Sequence, residues 1–422
     1  MERTYRVLPI FRGVAVFVAL TSISHSAVSQ LPSWIATWTA SLAAADPDPS
    51  EPLANLDNQT VRERLHVTVG GRQIRIRLSN EFGSAPLLVG RVSVGLAQGP
   101  ASVVANSLRP VTFGKQDSIL IPPGAPALSD PVDFPVENGA EISVSLYFPK
   151  HPASVTLHGL ALKRAVNSPL GDHTQDAAIQ GGKESDSSAF LSAVLVPAPA
   201  KRGVIVAFGD STVDGDGSTP EMDHTWPSDL FRRLEKAHGS SQFAVVNEGM
   251  AGNRLLGDGP LSSLGLSALA RFDRDALSVP GVTDIVLLEG TNDIGFPGAK
   301  LGELTLAPVA NAPTAEDIIH AYRQLIARAH VRGVRLIGST IMPSEGVVIP
   351  GYHSEDKERT RQAVNQWIRT SREFDGVIDF DAVVRDPDHP ARLLPRLASD
   401  DHLHPNDAGY QAMADAIDLS LF

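Results

Sequence analysis

The chain has 422 residues, 36 Lys and Arg against 48 Asp and Glu, a net charge of −12 and no cysteine. That length exceeds one ordinary domain, and the acidity argues against nucleic acid or anionic lipid as a primary partner. Without cysteine, disulfides, thiol nucleophiles and cysteine metal sites are excluded.

Arg3, Arg6 and Arg12 open the chain, an apolar run follows from Gly13 to Leu20, and small polar residues lead to Ala27-Val28-Ser29. This order reads as a secretory signal peptide over residues 1–29, cleaved near Ser29. The apolar run is too short for a bilayer span, which takes about 20 residues, and no later segment supplies one, so no stable membrane insertion is expected. Residues 1–29 carry three Arg and one Glu, a net +2, so their loss takes the charge from −12 to −14. Export without cysteine suits a bacterial protein, periplasmic or secreted.

Residues 30–200 alternate with period two and are rich in turn residues. Leu65, Val67 and Val69 alternate with His66 and Thr68, Gly70-Gly71 follows, and Ile74, Ile76 and Leu78 then alternate with Arg75 and Arg77. This predicts a β-hairpin closed by a two-residue glycine turn. Val92-Ser93-Val94 and Ile142 to Phe148 continue the pattern, and no helical period emerges between Thr60 and Lys163. A β-sandwich of jelly-roll type is expected. Trp34 and Trp38 read as core aromatics, residues 167–189 as a long loop, Leu191 to Val196 as a strand and Pro197 to Ala200 as a linker.

The texture changes over residues 201–422. Apolar strands are predicted at Val204–Phe208, Phe243–Asn247, Asp284–Leu288, Val334–Thr340 and Val377–Phe380, with amphipathic helices at Trp226–His238, Thr314–Arg332, Ser354–Phe374 and Asn406–Leu421. Thr314 with Asp317 three residues on marks a helix start. Trp226 and Tyr322 read as core. Continuous apolar strands alternating with such helices predict a parallel sheet covered on both faces, with ligands at the carboxyl ends of its strands.

Four of those ends carry chemistry. The first is followed by Gly209-Asp210-Ser211-Thr212, which puts a hydroxyl at a helix N-terminus where free N–H groups can hold an oxyanion. A serine there is also an ordinary helix cap. The second is followed by Gly249-Met250-Ala251-Gly252-Asn253, where glycine lets a backbone N–H approach a ligand. The third leads to Gly290-Thr291-Asn292-Asp293, whose asparagine can donate its amide; both are equally ordinary turn residues. After the last come Asp401-His402-Leu403-His404-Pro405. A turn there brings Asp401 to His404, so the carboxylate can hold Nδ1–H and leave Nε2 to take a serine proton. His402 competes as the base, but its spacing from Asp401 is poor. The same residues could begin a metal site, yet no second cluster has the spacing to complete one, so neither metal nor cofactor is expected. Asp214 and Asp216 read as a solvated loop, and Arg271, Asp273, Arg274 and Asp275 as an ion-pair cluster.

Taken together, Gly209-Asp210-Ser211, Gly252, Asn292 and Asp401-x-x-His404-Pro405 resemble, in order, the blocks of the GDSL/SGNH hydrolase family, with Thr212 where the eponymous leucine would stand. The resemblance implies a three-layer flavodoxin-like hydrolase domain, a Ser211-His404-Asp401 triad, and an oxyanion hole made by the N–H groups of Ser211 and Gly252 with the Asn292 side chain. Trp34-Ile35-Ala36-Thr37-Trp38, Arg77 to Gly83 and Ser129-Asp130-Pro131 resemble the N-terminal β-sandwich of two-domain bacterial members. Those are secreted esterases, some acting on acetylated carbohydrate. The expected partner is therefore a small-molecule or polysaccharide ester. A lipase or lysophospholipase is the alternative within hydrolases, and a non-catalytic glycan-binding protein the alternative outside them.

Overall fold

Period-two alternation in the N-terminal half produces antiparallel strands, as the computed structural model shows for the residues it describes: 1–2, 33–46, 53, 56–198, 203–238 and 243–422. The proposed signal peptide and its cleavage point lie outside them, apart from the first two residues. The strand Gln59–His66 pairs with Glu141–Phe148, which pairs on its other side with Arg91–Gly99. A second sheet runs in the order Ser33–Thr39, Leu191–Ala198, Gly71–Asn80, Ala125–Leu128.

The expected hairpin does not form. Gln59–His66 and Gly71–Asn80 are consecutive but belong to different sheets. Val67, Thr68 and Val69 between them are buried, and the connection bonds elsewhere: Val67 N–H donates to the Ala140 carbonyl, Thr68 N–H to the Thr37 carbonyl, and Gly70 N–H to the Asn138 side chain. A Cβ at Gly70 would stand 2.1 Å from the Val136 carbonyl oxygen, so glycine serves a close crossing between sheets rather than a turn. The segment expected as a long loop contains the strands Ala165–Leu170, Lys183–Ser185 and Ser188–Ala189. Its intervening residues accept hydrogen bonds from the buried Arg62 guanidinium, through the Asp176 carbonyl at 2.7 Å. Trp34 is half-buried, with the Arg75 guanidinium 4.9 Å above its ring, and Trp38 is also half-buried. Pro197 belongs to a strand rather than a linker.

In the C-terminal half five strands pair side by side in the order Phe243–Gly249, Gly203–Gly209, Val282–Leu288, Arg335–Ser339, Gly376–Ile378, every neighbouring pair parallel. Every described residue of Gly203–Gly209 is buried. Burying a Val or Ile side chain stabilises the fold by roughly 1.5–3 kcal/mol, so this continuous apolar run favours the interior of the sheet. The helix Ala315–Val331 begins at a capping box formed by Thr314 and Asp317 and buries Ile318, Ile319, Tyr322, Leu325 and Ile326 along one side. Trp226 is fully buried at the start of Trp226–His238. The last strand ends at Ile378, earlier than expected, because Asp379 caps the short helix Phe380–Val384.

Ser33–Phe422 form one compact unit. Ala36 N–H donates to the Pro280 carbonyl, and the Ser41 hydroxyl donates to Glu248 at 2.7 Å, so the N-terminal strands bond directly to the parallel-sheet half.

Candidate active site

The first parallel strand runs into a close approach: a Cβ at Gly209 would lie 1.8 Å from the Leu288 carbonyl oxygen. Asp210 then caps the helix Ser211–Asp214 by accepting from Thr212 N–H, so Ser211 is the first helical residue. Gly215, with φ of 119°, closes the turn by donating to the Ser211 carbonyl. Burial pushes the Asp210 carboxyl above its usual range, and it pushes that of Asp293 up to about 6.

At the far end of the chain, Asp401 organises its own loop. One carboxylate oxygen accepts from the Ser399 hydroxyl at 2.7 Å, Leu403 N–H at 2.8 Å and His404 N–H at 3.0 Å. The other lies 2.6 Å from His404 Nδ1, while His404 Nε2 lies 2.7 Å from Ser211 Oγ. The structure thus joins Ser211, His404 and Asp401 in one hydrogen-bonded chain. His402 is exposed at a φ of 59°; that turn carries His404, not His402, to the serine. Burial opposes ionisation of Asp401, but the bonds and charge of His404 outweigh it and hold the carboxyl well below the usual range. Burial likewise opposes a charged His404, yet the Asp401 bond and the Asp216 charge raise its pKa overall.

Asp216 was expected in a solvated loop. Its carboxylate is partly exposed but lies 3.8 Å from His404 Nε2. Asp214 departs further from that expectation: it is buried, accepting from Ala251 N–H at 3.0 Å and facing His158 Nε2 at 3.1 Å.

Gly252 has φ of 72°, and Leu264 packs where its Cβ would be. Asn292 is buried in the helix Thr291–Gly295; its Nδ2 donates to the Asn253 carbonyl at 2.8 Å and its Oδ1 accepts from Tyr352 Oη at 2.8 Å. The structure therefore brings Asn292 against the loop that carries Gly252. Asp293 holds the continuation of that loop, accepting from the N–H groups of Leu255 and Leu256.

Two supporting residues were missed by the sequence reading. Tyr352 sits in an irregular segment with no periodic signal. Arg271, expected in an ion-pair cluster, is fully buried and donates to the carbonyls of Gly209 at 2.7 Å and Glu248 at 3.0 Å, to Asn253 Oδ1 at 2.8 Å and to Ser41 Oγ at 2.9 Å. Arg271 and Arg274 both pair with Asp275, Arg271 at 3.4 Å, and Asp273 reaches Arg328 instead. Among the described residues no group of three or more His, Asp or Glu is arranged to hold a metal ion, and no helix is long and apolar enough to cross a membrane.

Several solved structures are similar to this chain. A GDSL-like lipase from Bacteroides thetaiotaomicron is 16% identical over 53% of this chain and 90% of its own, with a TM-score of 0.38. An acetyl xylan esterase from Geobacillus stearothermophilus is 18% identical over 51% and 94%, with a TM-score of 0.38. The psychrotrophic esterase EstA from Pseudoalteromonas sp. is 14% identical over 51% and 93%, with a TM-score of 0.35. No curated protein matches the sequence. The GDSL-like Lipase/Acylhydrolase family matches residues 207–412, a span that contains Ser211, Gly252, Asn292, Asp401 and His404, and these residues form a domain of that family.

Proposed function

We propose that this protein is an exported serine esterase that hydrolyses carboxylic esters through an acyl-enzyme, with short acyl groups such as acetyl on carbohydrate as its substrates. The observation that carries the reading is the hydrogen-bonded chain from Ser211 Oγ through His404 to Asp401, at 2.7 and 2.6 Å. His404 Nε2 takes the serine proton as Oγ attacks the ester carbonyl carbon. The carbonyl oxygen becomes an oxyanion and accepts from Ser211 N–H, Gly252 N–H and the second amide N–H of Asn292. Each such donor contributes roughly 3–4 kcal/mol to the transition state. Collapse breaks the bond to the alcohol, which leaves with the proton from His404. Water, deprotonated by the same imidazole, then releases the acid and restores Ser211. Asp401 stays ionised throughout and stabilises the imidazolium.

In this reading residues 201–422 are a three-layer flavodoxin-like hydrolase domain. The strand order supports it, with Ser211 following the strand between those that lead to Gly252 and Asn292, at the point where ligands bind in such sheets. Residues 30–200 are its jelly-roll-like β-sandwich partner, and residues 1–29 direct export to the periplasm or medium. The short acyl preference rests on Leu264 packed on Gly252 and on the closed apolar cluster of Phe296, Leu306, Tyr352 and Leu403 near Asn292.

The test is hydrolysis of p-nitrophenyl acetate, butyrate, octanoate and palmitate by residues 30–422, beside Ser211→Ala. Activity that falls with chain length and vanishes in the variant is expected. Preference for palmitate would replace the short-acyl reading with a lipase, and equal inactivity of both proteins on every ester would overturn the enzyme.

A further inference from the structure

His158, at the end of the strand Thr156–His158 in the N-terminal half, is surrounded by acceptors. Its Nδ1 lies 2.9 Å from the Ser41 carbonyl oxygen. Its Nε2 lies 2.9 Å from the Leu160 carbonyl oxygen and 3.1 Å from Asp214 Oδ1. A carbonyl oxygen can only accept, so both ring nitrogens must carry hydrogen and the ring is an imidazolium. Asp214 is the last residue of the helix that begins at Ser211. Its other oxygen accepts from Ala251 N–H, one residue before Gly252. Ser41, whose carbonyl faces His158, also bonds Glu248 and Arg271 through its hydroxyl.

We infer that His158, held as an imidazolium, is a positioning residue for ester hydrolysis: through Asp214 it fixes the Ser211 helix and the Gly252 turn relative to one another. This rests on the triad reading above, and it gives the N-terminal half a part in catalysis. The short helix is anchored by its Asp210 cap and by Asn247, whose Nδ2 donates to the carbonyls of Val213 and Asp214. The Asp214 side chain adds the tether that reaches the loop carrying Gly252.

The charged and titratable groups around His158 are Asp214 from the serine helix and Glu63 from Gln59–His66. Arg64, His66, Lys163 and Asp223 line the same cavity of about 150 Å³. Arg64 is paired with Glu141 at 3.2 Å and Lys163 with Asp223 at 2.8 Å. Glu63 accepts from Ala189 N–H at 2.6 Å, its other oxygen is buried without a partner among the described residues, and burial pushes its carboxyl up to about 8. Burial alone would discharge His158, but the Asp214 charge and bond, with those of Ser41 and Leu160, raise it to about 9. A histidine raised above its unfolded value of about 6.5 contributes stability that is full below that value and is lost as pH rises through the folded one. The clamp is therefore intact at neutral pH and opens as pH rises through about 9.

In the parent enzyme kcat should fall across that alkaline range. His158→Gln should lower kcat at neutral pH by about 10- to 100-fold, the cost of a small misplacement of reacting groups, with KM changed by less than about twofold. The alkaline limb should vanish in that variant, and Asp214→Asn, which keeps the size but drops the charge, should move it to lower pH. A parent kcat that is flat through the range, or variants that keep both kcat and limb, would overturn the inference. Nitrogen-15 imidazole spectra of the Ser211→Ala protein at neutral pH decide the matter without catalysis or a His158 variant. His158 doubly protonated is expected, and a neutral tautomer refutes the clamp. Ester inactivity alongside a doubly protonated His158 would instead count against the esterase reading alone.

Discussion

Tyr352→Phe tests whether Asn292, the oxyanion donor proposed above, is held in place by its neighbour. The hydroxyl of Tyr352 is the donor to Asn292 Oδ1, at 2.8 Å, and both residues are buried. Phenylalanine keeps the ring and its edge contact with Phe296, whose centroid is 6.1 Å away. What it removes is one hydrogen bond to a buried amide oxygen, which costs about 1–3 kcal/mol when the acceptor is left unsatisfied. It also frees the Asn292 amide to rotate, since among the described residues only the bond from Nδ2 to the Asn253 carbonyl then remains. Full loss of one oxyanion donor lowers kcat by about 10²–10³-fold. Loss of its orientation alone should therefore cost less, about 10-fold, on kcat with KM little changed. The assay is steady-state hydrolysis of p-nitrophenyl acetate by Tyr352→Phe, Asn292→Ala and the double variant. The double variant should be no worse than Asn292→Ala, because Tyr352 acts through the amide that is gone. If the two effects multiply, or if Tyr352→Phe leaves kcat within about twofold while Asn292→Ala does not, the positioning argument is wrong.

Two further outcomes follow from the charges around the site. In the proposed mechanism His404 must be neutral to take the serine proton, and Asp401 and Asp216 raise its pKa, so kcat/KM should rise with pH through a value above that of an ordinary imidazole. Asp216→Asn should move this acid limb to lower pH, read from a kcat/KM profile; an unmoved limb would mean that the 3.8 Å approach carries no charge effect. Arg271→Met should destabilise the fold by about 3–5 kcal/mol in urea titration, as expected when one partner of a buried charged network is removed. The carbonyls of Gly209 and Glu248 would lose their guanidinium donor, so a loss below about 1 kcal/mol would refute the assigned role.

The sequence made the candidate site residues visible because three of them follow a strand and the other two share a local turn. Ser211, Gly252 and Asn292 come within a few positions of strand ends that the continuous apolar runs already mark. Asp401 and His404 are tied by a local turn that their spacing implies. The capping box at Thr314 was legible for the same reason, since all its bonds fall within three residues. The hairpin reading failed because alternation specifies which face of a strand is buried, not which strand lies beside it. Val67 and Val69 satisfy the pattern equally well in a crossing between two sheets. Tyr352, His158 and the role of Arg271 at the Gly209 and Glu248 carbonyls escaped for a different reason: the partners concerned are remote in sequence, and a lone polar residue gives no periodic signal of burial.

That division has a physical basis in the size of the element that carries Ser211. The Ser211–Asp214 helix has four residues, far below the length at which a helix holds itself together in water. Its geometry must come from bonds at both ends. Asp210 caps the start, and Arg271 holds the Gly209 carbonyl just before it. Asn247 takes the carbonyls of Val213 and Asp214, and His158 and Ala251 take the two oxygens of the Asp214 side chain. These partners come from both halves of the chain. The proposed nucleophile on so short a helix is therefore only as well placed as this polar shell, and substitutions in the N-terminal strands should be felt at Ser211 without touching substrate.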